Sequence, residues 1–315
     1  ANGYGSSGGR GGAISSMFSK LSITNGIFSE NVANGVDFKN TLTHTSSGGA
    51  VNTLGGALTA FNCIFTKNKV EGDGGALMLV PFAPGNISHS SFLSNAASVD
   101  GGSLYLAQES PGKQGTLQKS SVVSGTAGAS GGGLALLDTA HTLIDGMLFS
   151  NNSANAGGAI YVGGSRDVEL LNSIVESNRA INGGGLTLSS TLAALLSNMH
   201  VRKNVATSFG GGLQVEYCRN TTMLACLVES NKALAGGGLF VNYSQDSTSI
   251  EESNVEGNLA TYAGSVYSYP TALVHTTGTS FISDSPGYYP PAGLRLPHGY
   301  PTTFPPSVAV MFPYP

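Results

Sequence analysis

The sequence has no tryptophan, only three cysteines, and few charges: Lys, Arg, Asp and Glu together make 10% of its 315 residues. Each shortage excludes something. Cys63, Cys218 and Cys226 cannot build a disulfide framework, and no Cys-x-x-Cys spacing offers a metal site; they read as small, buried, apolar thiols. A net charge of −4 gives no basic field for nucleic acid. No apolar run approaches the roughly 18 residues that a membrane-spanning helix needs. Low charge beside 40% apolar residues argues against disorder. The 45 glycines follow no Gly-X-Y period, so this is not collagen. The chain opens at Ala1 with neither Met nor a basic-apolar leader and reads as a mature or excised piece, any targeting segment lying outside it.

What is present is a repeat, with a typical spacing of 26–27 residues. An apolar anchor recurs at Phe28, Phe65, Phe92, Val122, Phe149, Val175, Val201, Val228, Val255 and Phe281. Three residues after an anchor stands Asn31, Asn68, Asn95, Asn152, Asn178, Asn204, Asn231 or Asn258, with Gly125 and Asp284 as exceptions. Two residues further on, Ala is the rule. Gly-Gly pairs hold the same register, from Gly11-Gly12 to Gly236-Gly237, with Ala263-Gly264 a weaker tenth. Each is followed by alternating aliphatics such as Leu186 and Leu188, the period of a strand with one buried face. A second apolar column precedes the anchor by five, at Ile23, Ile87, Ile144, Leu170, Leu196, Met223 and Ile250. Each unit therefore holds two or three short strands.

A helical repeat is excluded, because each Gly-Gly pair would cost a helix about 2 kcal/mol relative to Ala. Short strands on this period fit an all-β, right-handed parallel β-helix of about ten coils, spanning residues 1–285. Like positions then stack about 4.8 Å apart, giving a rod roughly 45–50 Å long. Stacking makes every column meet itself. Phe and Val fill the interior, and the Asn column passes amide hydrogen bonds from coil to coil as a structural ladder. Gly-Gly supplies positive φ or a close chain approach at a corner. A partial second Asn column, at Asn25, Asn62, Asn172 and Asn198, marks another corner, with His89 standing in for an Asn.

These residues resemble the repeats of the chlamydial polymorphic membrane proteins. GGAI (11–14, 157–160), GGAV (48–51) and GGAL (55–58, 74–77) alternate with FSEN (28–31), FTKN (65–68), FLSN (92–95) and FSNN (149–152). The likeness covers about residues 11–285 and implies a surface-exposed right-handed β-helix concerned with adhesion. Later units depart from it by using Gly-Gly-Gly-Leu and Val-x-x-Asn, and no membrane-barrel domain follows.

Interruptions fall near Asn34–Ser47, at Pro81–Gly85 and at Gln108–Gly115. Residues 286–315 hold nine prolines and read as a polyproline II tail or cap. Open coil ends expose strand edges, so end-to-end or lateral assembly of copies is expected.

For chemistry, the best local cluster is Glu251, Glu252 and Glu256, one coil after Glu229 and near Lys232, with Arg202 and Lys203 one coil earlier than Glu229. It makes a polysaccharide lyase or hydrolase the alternative function, since such sites need paired carboxylates or a base with cations. Stacking Glu176, Arg202, Glu229 and Glu256 in one column reads more simply as exposed cross-strand ion pairing. The histidines are scattered, no Gly-x-Ser-x-Gly elbow sits between a strand and a helix, and the calcium nonapeptide is missing. No catalytic residue, metal site or cofactor is expected. Sequons at Asn86, Asn151, Asn220 and Asn242 are possible glycosylation sites, with Asn86, Asn220 and Asn242 expected between strands. The expectation is a non-enzymatic rod, extracellular or on a cell surface, whose partners are copies of itself or cell-surface and matrix ligands, with no nucleic acid and no membrane insertion.

Overall fold

The computed structural model describes residues 2–3, 11–34, 47–81, 85–107, 114–244, 248–268, 272, 274–282 and 308–310. These form a parallel β-helix, and every strand pair among them is parallel. One coil shows the plan. Leu134–Leu137 lies on the first face, Ala140–Asp145 on the second and Leu148–Ser150 on the third. The chain then crosses a short fourth face and enters the next coil at Ile160–Gly163. The first face stacks eleven strands, and the second and third stack ten each.

The fourth face was not expected from the sequence. It is built from two-residue strands such as Lys69–Val70 and Ala96–Ala97, then from longer ones at Arg179–Asn182, Val205–Phe209, Lys232–Ala235 and Leu259–Tyr262. Single bridges through Ser153 join the two stretches. Two residues are too short to show an alternating pattern, so only the buried Ala column betrays this face: Ala33, Ala97, Ala127, Ala180, Ala206, Ala233 and Ala260 are all under 9% exposed.

The core is a set of columns. Phe28 pairs with Phe65, Phe65 with Phe92, and the series continues through Val122, Phe149, Val175, Val201, Val228 and Val255 to Phe281. The eight inner members are fully buried. Phe28, Phe65 and Phe92 stack their rings at 4.9 and 4.8 Å, which is the strand spacing itself. The second column runs from Ile23 through Ala60, Ile87, Leu117, Ile144, Leu170, Leu196 and Met223 to Ile250.

Corners recur in every coil and are made the same way: one residue turns into the left-handed region and the chain changes face. Asn25, Asn62, His89, Lys119, Gly146, Asn172 and Asn198 do this between the second and third faces, all with φ between 45° and 62°. At Gly-Gly the two expected roles are divided. The first glycine carries the positive φ, as at Gly157 (60°). The second gives the close approach: a Cβ on Gly158 would meet the Gly184 carbonyl oxygen at 2.2 Å. Ala263 takes the same turn with φ 49°.

The expected insertion falls on residues 35–46, and the two other interruptions fall largely on 82–84 and 108–113; these lie outside the described residues, as does most of the tail. The exception is Val308–Val310, which adds the eleventh strand beside Val266–Ser268. Polyproline II is therefore not the conformation of that piece. Val-Ala-Val has no proline, so its amides are free to join a ladder.

Candidate functional site

The Asn column is a continuous ladder with a single break. Asn204 Oδ1 accepts from both the backbone N–H and the Nδ2 of Asn178, each at 2.9 Å. Asn204 Nδ2 donates to the Val175 carbonyl and to Asn231 Oδ1. The same pattern links Asn31, Asn68 and Asn95, and then Asn152, Asn178, Asn204, Asn231 and Asn258. At Gly125 the side-chain link is missing, and only its backbone N–H reaches Asn152 Oδ1. These residues are buried and structural, as their spacing indicates.

Two further ladders escape single-letter reading. After the corner between the second and third faces, a buried hydroxyl caps the preceding coil: Ser90 Oγ accepts from Cys63 N, Ser173 Oγ from Met147 N, and Ser253 Oγ from Cys226 N. After the corner between the first and second faces, Ser165 Oγ accepts from Thr139 N. The cysteines occupy these columns. Cys63 and Cys226 donate Sγ–H to Phe61 and Leu224 carbonyls, and Cys218 to Glu216. All three are free and buried. Burial pushes the Cys218 thiol up to about 11 and raises Cys226 as well.

The acidic cluster does not converge. Glu251 ends a second-face strand, Glu252 is the corner residue with φ 48°, and Glu256 points from the third face. Lys232 lies on the fourth. The column Glu176, Arg202, Glu229, Glu256 is real in register. Arg202 forms a two-pronged pair with Glu176, both contacts at 2.8 Å. Glu229 turns instead to His200 Nε2, also at 2.8 Å.

A concave outer surface lies elsewhere, at the second-to-third corner of the middle coils. It is a shallow depression of about 560 Å³. Its cause is legible in the outward third-face column, which runs Ile27, Ile64, Ser91, Ser121, Leu148, Ile174. Two serines between aliphatic neighbours leave a notch. Its corner side is formed by His89, Lys119, Gly146 and Asn172. No group of three or more His, Cys, Asp and Glu that could hold a metal occurs among the described residues.

A family model described as the right handed beta helix region matches residues 112–281, more than half of the chain. The chain belongs to the right-handed β-helix family. A second comparison finds a distant relative in Dictyostelium discoideum, a metabotropic glutamate receptor-like protein R, 24% identical over 257 residues. The match takes in 79% of this chain but only 14% of that protein, so the chain spans about one seventh of its relative's length. No solved structure matches.

In this β-helix the sequons sit differently from expectation. Asn86, Asn220 and Asn242 lie within strands Gly85–Ser88, Arg219–Leu224 and Leu239–Asn242, not between them. Corners here take so few residues that positions read as connections belong to the ladders. Asn86 and Asn220 are exposed, whereas Asn242 has its Oδ1 buried without a partner. Asn151 is an exposed corner residue whose Nδ2 donates to Ser150 Oγ. His89 takes the corner conformation that Asn takes elsewhere, but its ring rests on Phe61 at 5.3 Å, so what it shares with Asn is the turn.

Proposed function

We propose that this β-helix is a non-catalytic rod, extracellular or at a cell surface, that works by adhesion or by association with its own copies. The observation that carries the reading is the division of labour within each coil. Buried Asn, Ser, Thr and Cys side chains lock each coil to the next. The outward columns are left as long, flat, weakly charged surfaces on a rigid support, and exposed apolar groups such as Ile27, Ile64, Leu93, Phe209 and Leu259 stand on them. Large outward apolar surface on a rigid frame suits contact with a second surface. Two likenesses agree with this: the polymorphic-membrane-protein style of the repeat, and a distant relative whose name is that of a receptor-like protein.

The competing reading, a lyase or hydrolase acting through Glu251, Glu252 and Glu256, makes the opposite prediction. The purified chain is incubated with acidic polysaccharides, and reducing and unsaturated ends are measured. In parallel it is applied to cells and matrix-coated surfaces and imaged by electron microscopy. The rod reading expects retention or filament formation with no new ends. Release of ends that is lost in a Glu251→Gln, Glu256→Gln double variant would replace it with the enzyme.

A further inference from the structure

We propose that the stacked pair Tyr217 and Tyr243 is an oxidative cross-linking site. A haem peroxidase with hydrogen peroxide would couple it to a tyrosine of a second copy through a dityrosine bond. This goes beyond the adhesive reading and does not depend on it.

Neither the turn nor the core explains these two tyrosines. They hold the corner between the first and second faces, where Asp138, Gly164 and Ser190 make the same positive-φ turn in the three preceding coils. Tyr217 and Tyr243 adopt it at 54° and 49°, a conformation that suits a bulky side chain poorly. They bury little in return: at 56% and 45% they are the most exposed of the described tyrosines. What the arrangement does produce is a stack. The two rings lie 5.1 Å apart with their planes 8° from parallel. Ser190, one coil before Tyr217, is too short to cover the outer face of that ring.

A one-electron oxidant has few other targets. The chain has no tryptophan. Cys63, Cys218 and Cys226 are buried, and burial raises the Cys218 and Cys226 thiols, which disfavours the reactive thiolate. Exposed Met17 takes up oxygen as a sulfoxide, which joins no chains. Tyr105 and Tyr161 are half-buried, and burial raises both phenols, opposing the proton loss that accompanies loss of the electron. At the pair, an electron taken from either ring leaves a radical that both stacked rings share. One hydrogen peroxide, reduced to two waters, removes one electron and one proton from each of two phenols. The two radicals join through the ring carbons beside their oxygens, and each carbon then returns its hydrogen to the oxygen, so both phenols are restored. That bond joins rings edge to edge. The parallel stack on adjacent coils holds Tyr217 and Tyr243 face to face, so the bond cannot close within the pair. A second copy meeting the exposed corner can present an edge.

The test treats the full chain with a haem peroxidase and hydrogen peroxide, using an equal mixture of heavy-isotope-labelled and unlabelled chains. Dityrosine fluorescence, dimers on a denaturing gel and mass mapping of the linked peptides are read. The main product expected is a mixed-isotope link that carries Tyr217 or Tyr243. A Tyr217→Phe, Tyr243→Phe double variant keeps both rings and their stack but lacks the phenols. It should keep its thermal midpoint and lose most of the dimer. Tyr262→Phe removes a fourth-face tyrosine that is 41% exposed, and it should lose little. Absence of dityrosine, links carried only by other tyrosines, links confined to single chains, or an undiminished dimer yield in the double variant would each overturn the site.

Discussion

Asn178 uses its whole side chain. Its Oδ1 receives the backbone N–H and Nδ2 of Asn152, and its Nδ2 gives one hydrogen to the Phe149 carbonyl and the other to Asn204 Oδ1. All of this is fully buried. Removing it takes a partner from three groups on two neighbours, the Asn152 backbone N–H, the Asn152 Nδ2 and the Phe149 carbonyl, while Asn204 Oδ1 keeps the Asn178 backbone N–H; each buried unsatisfied group costs about 1–3 kcal/mol. Asn178→Ala is therefore expected to lose at least about 3 kcal/mol in chemical denaturation. Asn178→Asp should also be strongly destabilised, because a carboxylate would face the Phe149 carbonyl and Asn204 Oδ1 with nothing to donate. Gly125 is the natural counterpart: there the chain keeps the backbone contact and forgoes the side chain, because a Cβ would meet the Gly132 carbonyl oxygen at 2.4 Å. This column was legible from sequence because its chemistry admits one residue type. An isosteric Leu cannot donate, Asp cannot donate and accept together, and Gln is too long for the gap.

At the scale of the corner and the face, legibility depended on how many residue types can do the job. The hydroxyl ladders need only a small group that accepts a backbone N–H or donates to the carbonyl two residues earlier, so Ser, Thr and Cys alternate freely and no letter recurs. That is also why the cysteines read simply as apolar thiols. Cys218 sits where Ser165, Thr191 and Ser244 sit in neighbouring coils. Its thiol is held near 11, above the ordinary 9.0, because burial disfavours the thiolate. The folded value exceeds the unfolded one, so the native state retains a proton that the unfolded chain releases. Stability should be independent of this group below about pH 9 and fall as pH rises from about 9 to about 11. Denaturation at successive pH values should show a steeper loss in the parent chain than in Cys218→Ser; the raised Tyr105 acts alike in both, whereas Tyr161, which Cys218 itself helps to raise, adds to the parent's loss. On the third face, charge was legible as a column but its partners were not, since Glu229 chose His200 over Arg202. The Arg202 and Glu176 side chains remain 33% and 25% exposed, so water screens the pair. Arg202→Ala should change stability by no more than about 1 kcal/mol, and a loss several times larger in the same denaturation assay would show that the column carries buried charge.

For the whole molecule, the coil is the unit of construction, and nearly all pairing is between one coil and the next. The period and the anchors disclosed this before any coordinate, because stacking forces each column to tolerate itself. The depression was hidden for the opposite reason: it arises from a break in a column, Ser91 and Ser121 among aliphatics, and a break has no period to detect. A quasi-one-dimensional molecule should accept the removal of one whole coil and reject the removal of half. Deleting residues 173–198 joins Asn172 to Met199, which stands where Ser173 stood. Asn152 then meets Asn204, Phe149 meets Val201 and Ile160 meets Leu213, so the strands and the Asn ladder close in register, and the side-chain bond given up at the junction is that of Met147 N to the Ser173 hydroxyl. That chain should fold to a rod about 4.8 Å shorter by small-angle scattering, with the parent's strand signature in circular dichroism and a modestly lower thermal midpoint. Deleting residues 173–185 instead would set a third-face strand under a first-face strand and bring Thr191 to the place of Asn178 beside Asn152, so the coils on either side should not unite into one cooperative unit. If both deletions unfold alike, the coils are not interchangeable, and the columns matter less than what closes the two ends.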